Sequence, residues 1–162
     1  AEVKPVATLS LIVEDSDGIA YTQGTTLHLS TRYLKTISDR GVDLREEITG
    51  ILHFGTSLVY QNSGSDADAE PPAWLMVGIA DYVRLESGYI DRSKRAKGGA
   101  YDGGSSQTTA FFLDYLVTKE PTFVMQVNQR LAPAAPAWSN DVFEALLGSD
   151  VDTLWAAYQA TL

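Results

Sequence analysis

Two histidines, His28 and His53, are the only imidazole groups this sequence offers for a metal site or for proton transfer. Two histidines four residues apart on a helix can bind one zinc ion, and a glutamate following the first can take a proton from the zinc-bound water. Four residues after His53 stands Ser57, and Phe54 occupies the place of that glutamate. A relocated site would therefore need His28, His53 and a nearby carboxylate together. A hydrogen-bonded structural role is the simpler interpretation of each histidine.

Other nucleophilic or phosphate-binding patterns are weak. The chain has no cysteine, which excludes disulfides, thiolate metal sites and cysteine nucleophiles. Ser57 falls in the middle of a predicted helix and belongs to no G-x-S-x-G turn. The glycine-rich segment 98–104 lacks the Lys and Ser/Thr of a phosphate-binding loop. Glu46 and Glu47 fit the first turn of a helix, where carboxylates interact favourably with the helix dipole.

Composition and charge limit the classes of partner. The chain has 162 residues, of which 44% are hydrophobic, and this length predicts a single domain over residues 1–162. Its formal net charge of -9 would repel phosphate backbones and acidic membrane surfaces. We therefore expect no nucleic acid and no membrane as partners. No apolar run approaches the length of a membrane span, and no cofactor is expected.

The hydrophobic pattern predicts strands first and helices afterwards. Alternating apolar residues predict a strand over Val6–Glu14, and turn residues separate it from strands over Ile19–Thr22 and Thr26–Ser30. Apolar positions at helical spacing predict a short helix that ends at Ile37 and six further helices. These span Asp43–Gln61, with Asp43 as the N-cap, Ala73–Glu86, Ser106–Thr118, Pro121–Leu131, Asn140–Leu147 and Val151–Ala160, with Asp150 as the last N-cap. Between the second and third helices, residues 62–72 form an acidic, polar loop. A small N-terminal sheet followed by a mainly helical body is an α+β fold.

Two helices and the end of the chain carry a resemblance to a known family. The segments are EITGILHFGTSLVYQ, WLMVGIADYVRLESGY, TTAFFLDYL and VFEALLGSDVDTLWAAYQ. They resemble the plant basic secretory protein family, a group of presumed zinc peptidases of plants, fungi and bacteria. The resemblance covers nearly the whole chain and implies a thermolysin-like architecture. The acidic charge of this chain departs from the family name.

The positions that match the family's zinc site lack its residues. The resemblance places the H-E-x-x-H motif at Phe54–Leu58, so that Phe54 and Leu58 replace the histidines and Gly55 replaces the glutamate. Val77 replaces the third zinc ligand. Ser105 and Ser106 stand where the family has a tyrosine. We expect no metal and no catalytic residue here, and we predict that Phe54, Leu58 and Val77 pack together as part of the core.

The leading hypothesis is a catalytically inactive peptidase homologue that acts by binding a protein or glycan. The resemblance favours a secreted defence, effector or immunomodulatory role. Binding is expected in the former cleft, which Phe54, Gly55, Leu58, Val77, Asp81 and Tyr101 would line. Asp81 is expected to bond backbone or a neighbouring side chain. The alternative is an enzyme with a relocated or metal-independent site.

A glycan-binding protein is the second alternative, because exposed tryptophans often stack on sugars. Trp74, Trp138 and Trp155 are the candidates. Trp138 lies in a Pro/Ala-rich loop and is the one expected on the surface, whereas Trp155 has the spacing of a core residue. The basic segment Arg92–Lys97 is most simply a solvated loop. Its other interpretation is a contact surface for an acidic ligand or partner.

Overall fold

Three strands form a small sheet at the start of the chain. The computed structural model describes residues 4–63, 71–133 and 135–162. Strands β1 (Ser10–Glu14), β2 (Ala20–Gln23) and β3 (Thr26–Ser30) lie in the order β1-β3-β2. β3 pairs in parallel with β1, with Ile12 opposite His28, and antiparallel with β2, with Tyr21 opposite His28. Gly24 has a φ of +58° in the turn between β2 and β3, a value that glycine adopts without strain.

Seven α-helices follow the sheet within the described residues. They are α1 (Thr31–Asp39), α2 (Leu44–Tyr60), α3 (Ala73–Glu86), α4 (Ser106–Val117), α5 (Phe123–Arg130), α6 (Asp141–Leu147) and α7 (Val151–Gln159). Side-chain caps fix several of the starts: Asp43 accepts bonds from the N–H groups of Arg45 and Glu46, and Asp150 accepts one from Thr153. Both caps are predicted by the sequence.

The predicted elements match the observed ones closely, with differences at their ends. The α+β order is confirmed, and the bounds of β3 and α3 are as predicted. The first strand begins at Ser10 rather than at Val6. Pro121 lies before α5 rather than in its first turn, because the Glu120 carboxylate accepts bonds from the N–H and hydroxyl of Thr122 and holds a turn there. In the predicted acidic loop, residues 64–70 lie outside the described residues.

The main core lies among the helices, and α2 covers one face of the sheet. Leu75, Phe112 and Phe123 are fully buried among the residues of this core. α3 and α4 cross closely because Gly78 has no Cβ, and a Cβ there would overlap the Thr109 methyl group. α2 packs chiefly against α3 and against β2 and β3. β1 lies at the far edge of the sheet, and its apolar side chains are exposed.

Candidate functional site

The α2 positions that the family resemblance assigns to a zinc site carry no metal-binding side chain. Phe54 and Leu58 are half-buried, and so is Val77 on α3. None of the three belongs to the buried core or to the side chains packed around it. The prediction that this trio forms part of the packed core is therefore wrong. The physical reason is that α2 turns Ile51, Gly55 and Val59 inward instead, and these three are buried.

Gly55 lies directly against the central strand. A Cβ at this position would be 2.5 Å from Cδ1 and 2.7 Å from Cδ2 of Leu27, which is 2% exposed. Real Cβ atoms do not approach other carbons so closely. The Leu27 side chain thus fills the space that any side chain at position 55 would enter, and a carboxylate there would have to displace it.

On α3, Asp81 forms a buried ion pair with Arg84, which lies one turn further along the helix. Its Oδ1 atom accepts a bond of 3.2 Å from Nη1 of Arg84, and the carboxylate side chain is 3% exposed. This agrees with the expected bond to a neighbouring side chain. The Arg84 guanidinium also lies close to Gly50 of α2, where an added Cβ would be 3.4 Å from it. Asp81 therefore holds Arg84 in place, and the Arg84 guanidinium in turn lies against α2.

Tyr101 belongs to the core and not to an open cleft. Its ring lies 5.2 Å from that of Trp74 and 5.9 Å from that of Phe112, between centroids. Its hydroxyl donates a 3.0 Å bond to Asp152 at the start of α7. Burial and this hydrogen bond raise the pKa of Tyr101 to about 12. The expectation that Tyr101 lines a cleft with Phe54 is wrong, because the ring packs into the aromatic cluster.

The two histidines lie on opposite sides of the sheet. Leu27 faces α2, and successive strand residues alternate between faces, so His28 points away from α2. Nδ1 of His28 lies 2.8 Å from Oε1 of Glu14, and the ring stacks on Tyr21 at a centroid distance of 4.4 Å. His53 belongs to α2 itself. The two imidazoles therefore do not form one site.

His53 has separate partners at the end of α3. Its Nδ1 atom lies 3.1 Å from Oγ of Ser87, and its ring contacts that of Tyr89. Within residues 4–63, 71–133 and 135–162, no group of three or more His, Asp or Glu side chains is arranged to hold a metal ion. The residues present do not fit a zinc site at the positions matched to the family or around either histidine.

A groove of about 840 Å³ runs between α2, α3 and α5. Its walls are mostly apolar and include Leu52, Ile79, Val83, Val124 and Met125. The groove uses a different face of α2 from the positions matched to the zinc site, because Leu52 and Thr56 lie about 160° around the helix from Phe54 at 3.6 residues per turn. Its lining residues are Thr49, Leu52, His53, Thr56, Ser57, Tyr60, Gln61, Ile79, Tyr82, Val83, Pro121, Val124, Met125 and Asn128.

One residue that lines this groove has a buried acceptor atom without a partner among the described residues. Gln61 is 5% exposed, and its Nε2 atom donates a 3.0 Å bond to the carbonyl of Met76. Its Oε1 atom is buried without a hydrogen bond within the described structure. An unsatisfied buried acceptor is costly, and a donor in the groove would reach this atom only after the Gln61 side chain turned towards it. Beside this end of the groove, Asn62 donates two bonds of 2.8 Å to Asn128, from its backbone N–H to Oδ1 and from its side-chain amide to the carbonyl, and these bonds fix α5 there.

Sequence reasoning misses the groove, although one signal for it is present. α3 is apolar on nearly every face, so more than one neighbour must cover it, and α5 is the neighbour that completes the groove. The distance along the chain from α2 to α5 hides this relationship from a residue pattern.

The other surface candidates are less open than the sequence suggests. Trp138, expected on the surface, is half-buried, packs edge-on against Phe143 and donates a 3.2 Å bond to Asn140. In the basic segment, Arg92 pairs with Glu86 and Asp114, and Arg95 also pairs with Asp114. The charge of both arginines is thereby balanced by carboxylates of the same chain.

The sequence matches a family model over residues 1–158, and that model describes BSP, a peptidase of plants and bacteria. No curated protein matches the chain. No solved structure matches it either. None of the described helices is both long enough and apolar enough to cross a membrane.

Proposed function

The chain belongs to the BSP family of peptidases of plants and bacteria, and we propose that it acts by binding, without zinc-dependent peptide hydrolysis. The catalytic domain would keep the thermolysin-like arrangement that the family resemblance implies. The residue changes that would turn a peptidase into a binding protein would lie in α2 and α3.

One observation carries this proposal: Leu27 occupies the space beside Gly55. Zinc peptidases need imidazole or carboxylate ligands and a general base close to the bound water. Phe54, Leu58 and Val77 offer neither nitrogen nor oxygen to a metal. Gly55 offers no base, and the packing of Leu27 leaves no room for one. The loss thus involves both the residue types and the shape of the site.

The relocated-site alternative is weaker because its components lie apart. His28 is bonded to Glu14 on one side of the sheet, and His53 is bonded to Ser87 on the other side. Among the described residues, no carboxylate is bonded to His53 to orient it as a base for Ser87. These separate hydrogen bonds favour structural roles for both histidines.

We place the binding function in the groove between α2, α3 and α5. A volume of about 840 Å³ lies within the range of about 300–1,000 Å³ typical of ligand pockets, which combine apolar walls with a few polar groups. Gln61 lines the groove, and its buried Oε1 atom has no partner among the described residues. We propose that this side chain turns towards a ligand that brings a donor. The ligand class is therefore an apolar group with one N–H or O–H donor, as in an aromatic or aliphatic side chain of a protein segment.

A secreted defence or effector role is the context that the family resemblance favours, and we propose it by analogy with that family. The glycan-binding alternative has less support, because the Trp138 ring packs against Phe143 and is therefore less available to stack on a sugar.

The test is hydrolysis of a mixed peptide library by purified protein, with added zinc and with a chelator. We expect no cleavage above the background in either case. Cleavage that the chelator abolishes would overturn the proposal. The groove is tested separately by proton–nitrogen NMR during titration with indole, where shifts confined to groove residues are expected.

A further inference from the structure

The outer edge of the sheet is an apolar strand without a partner in the described structure. β1 pairs with β3 on one side, and no described strand pairs with its other side. Its side chains are exposed on both faces: Leu11 at 47%, Ile12 at 43% and Val13 at 51%. An edge with these properties is open to pairing with another strand, and proteins usually protect such edges with charge, proline or a covering element.

The free backbone groups of this edge are those of Leu11 and Val13. The N–H of Ser10 donates to the carbonyl of Thr25 at 3.0 Å, on the β3 side. Backbone groups along a strand alternate in direction, so those of Ile12 and Glu14 also face β3. The N–H and C=O groups of Leu11 and Val13 therefore point outward.

We propose that β1 pairs antiparallel with β1 of a second copy of this chain, centred on Ile12. In this register, Leu11 of one copy exchanges two backbone bonds with Val13 of the second copy, and Ile12 faces Ile12. The outward groups are then all paired, because they belong to the residues that this register sets opposite each other. The result is a continuous six-stranded sheet.

Side chains and charges suit this register. Leu11 lies between Leu27 of its own β3 and Val13 of the second copy, which makes a continuous apolar row on the α2 side. The carboxylate of Glu14 is placed opposite Ser10, so no carboxylate directly faces another. Glu14 is also held by its bonds to Tyr21 and His28, which draw it towards its own sheet.

A second copy fits this edge better than a charged peptide. β1 needs a partner that is apolar on both faces over three residues, and β1 is itself such a strand. Each copy carries a net charge of -9, so the two copies repel at long range. Because salt screens this repulsion and leaves the apolar contact in place, association should strengthen as the salt concentration rises.

Sedimentation velocity over a range of protein concentrations tests the self-association. We expect the mass to double as the concentration rises, at lower concentrations in high salt. Val13→Lys should weaken the dimer at least about tenfold, because an edge lysine opposes strand pairing. Ile19→Lys is the matched control, since Ile19 is exposed to a similar extent, 49%, but lies outside β1. It should leave the dimer unchanged.

A cysteine variant tests the register itself. The chain has no cysteine, so Ile12→Cys introduces a single thiol. Directly facing residues in a non-hydrogen-bonded antiparallel pair have Cα atoms about 4.5 Å apart, a distance that a disulfide spans. Ile12→Cys should form a disulfide-linked dimer on oxidation much faster than Ile19→Cys. A chain that stays monomeric throughout, or equal cross-linking of the two variants, would overturn the proposal.

Discussion

Gly55 of α2 and Leu27 of β3 fit together so closely that a single added methyl group would overlap the leucine. The distance from a Cβ at position 55 to Cδ1 of Leu27 would be 2.5 Å. This contact joins the helix to the sheet, and it leads to the first prediction.

Gly55→Ala should destabilise the protein even though alanine favours helices. Overpacking a core costs about 1–3 kcal/mol, and the helix propensity of alanine returns about 1 kcal/mol. In a Leu27→Ala background the overlap is gone, so the same change at position 55 should become neutral or stabilising. Chemical denaturation of the four proteins in this cycle measures the coupling between the two sites.

Gly50→Ala is a control in the same helix. A Cβ there would be 3.2 Å from Cβ of Tyr89 and so would meet a milder contact. Its effect on the free energy of unfolding should not change with Leu27→Ala. Equal effects of Gly55→Ala in both backgrounds would show that Leu27 does not close the space at position 55.

Gln61 gives a prediction about ligand chemistry in the groove. Indole has one N–H donor, and 1-methylindole has the same ring without it. A hydrogen bond to Oε1 of Gln61 is worth about 0.5–1.5 kcal/mol, so indole should bind about 2- to 13-fold more tightly. NMR titration measures both affinities.

Gln61→Met removes the acceptor and keeps the side-chain length. It should abolish the preference for indole, and binding of 1-methylindole should change little. A preference for indole that survives Gln61→Met would place the hydrogen bond elsewhere.

Tyr101 should make stability depend on alkaline pH. Its pKa is raised to about 12 by burial and by the bond to Asp152, whereas an unfolded tyrosine has a pKa of about 10. The contribution is therefore complete below pH 10 and is lost as the pH rises through about 12. Ultraviolet titration at the phenolate band, compared between wild type and Tyr101→Phe, should show the late ionisation reduced by the contribution of one tyrosine.

Asp152→Asn separates the two causes of the raised pKa. It removes the carboxylate and keeps the ring buried, so the pKa of Tyr101 should fall without returning to its ordinary value. Tyr33, whose pKa burial and Glu47 also raise to about 12, is an internal reference that should not move.

Glu14 should make the stability of the fold depend on pH in the acidic range. Hydrogen bonds from Tyr21 and His28 lower the pKa of its carboxyl. A lowered pKa stabilises the fold above the unfolded value, and this contribution is lost as the pH falls through the folded value. Tyr21→Phe removes the larger cause, so the carboxyl pKa measured by carbon NMR should rise.

The local sequence pattern predicts the helices and strands of this fold well, but it does not predict which of them pack against each other. Helix positions could be predicted because their signals lie in residues close together in the sequence. Examples are the caps at Asp43 and Asp150 and the apolar spacing of α3. Which face of α2 turns inward depends on Leu27, some 28 positions away. The expectation that Phe54 and Leu58 pack in the core comes from the family resemblance, whereas Ile51 and Val59 are the buried residues. The groove depends on α5 meeting α2, and the separation of the two histidines depends on strand alternation within a sheet whose partners lie apart in the chain.

The packing of Leu27 against Gly55 also limits which substitutions the protein could accept during evolution. A glutamate that arose at position 55 by one substitution would meet an occupied space and would destabilise the protein before it could contribute to catalysis. A smaller residue at position 27 would have to arise first, and alone it would leave a cavity beside α2. If the chain has become a binding protein, as proposed, each single step back towards a peptidase would be unfavourable, and this packing would oppose a stepwise reversal.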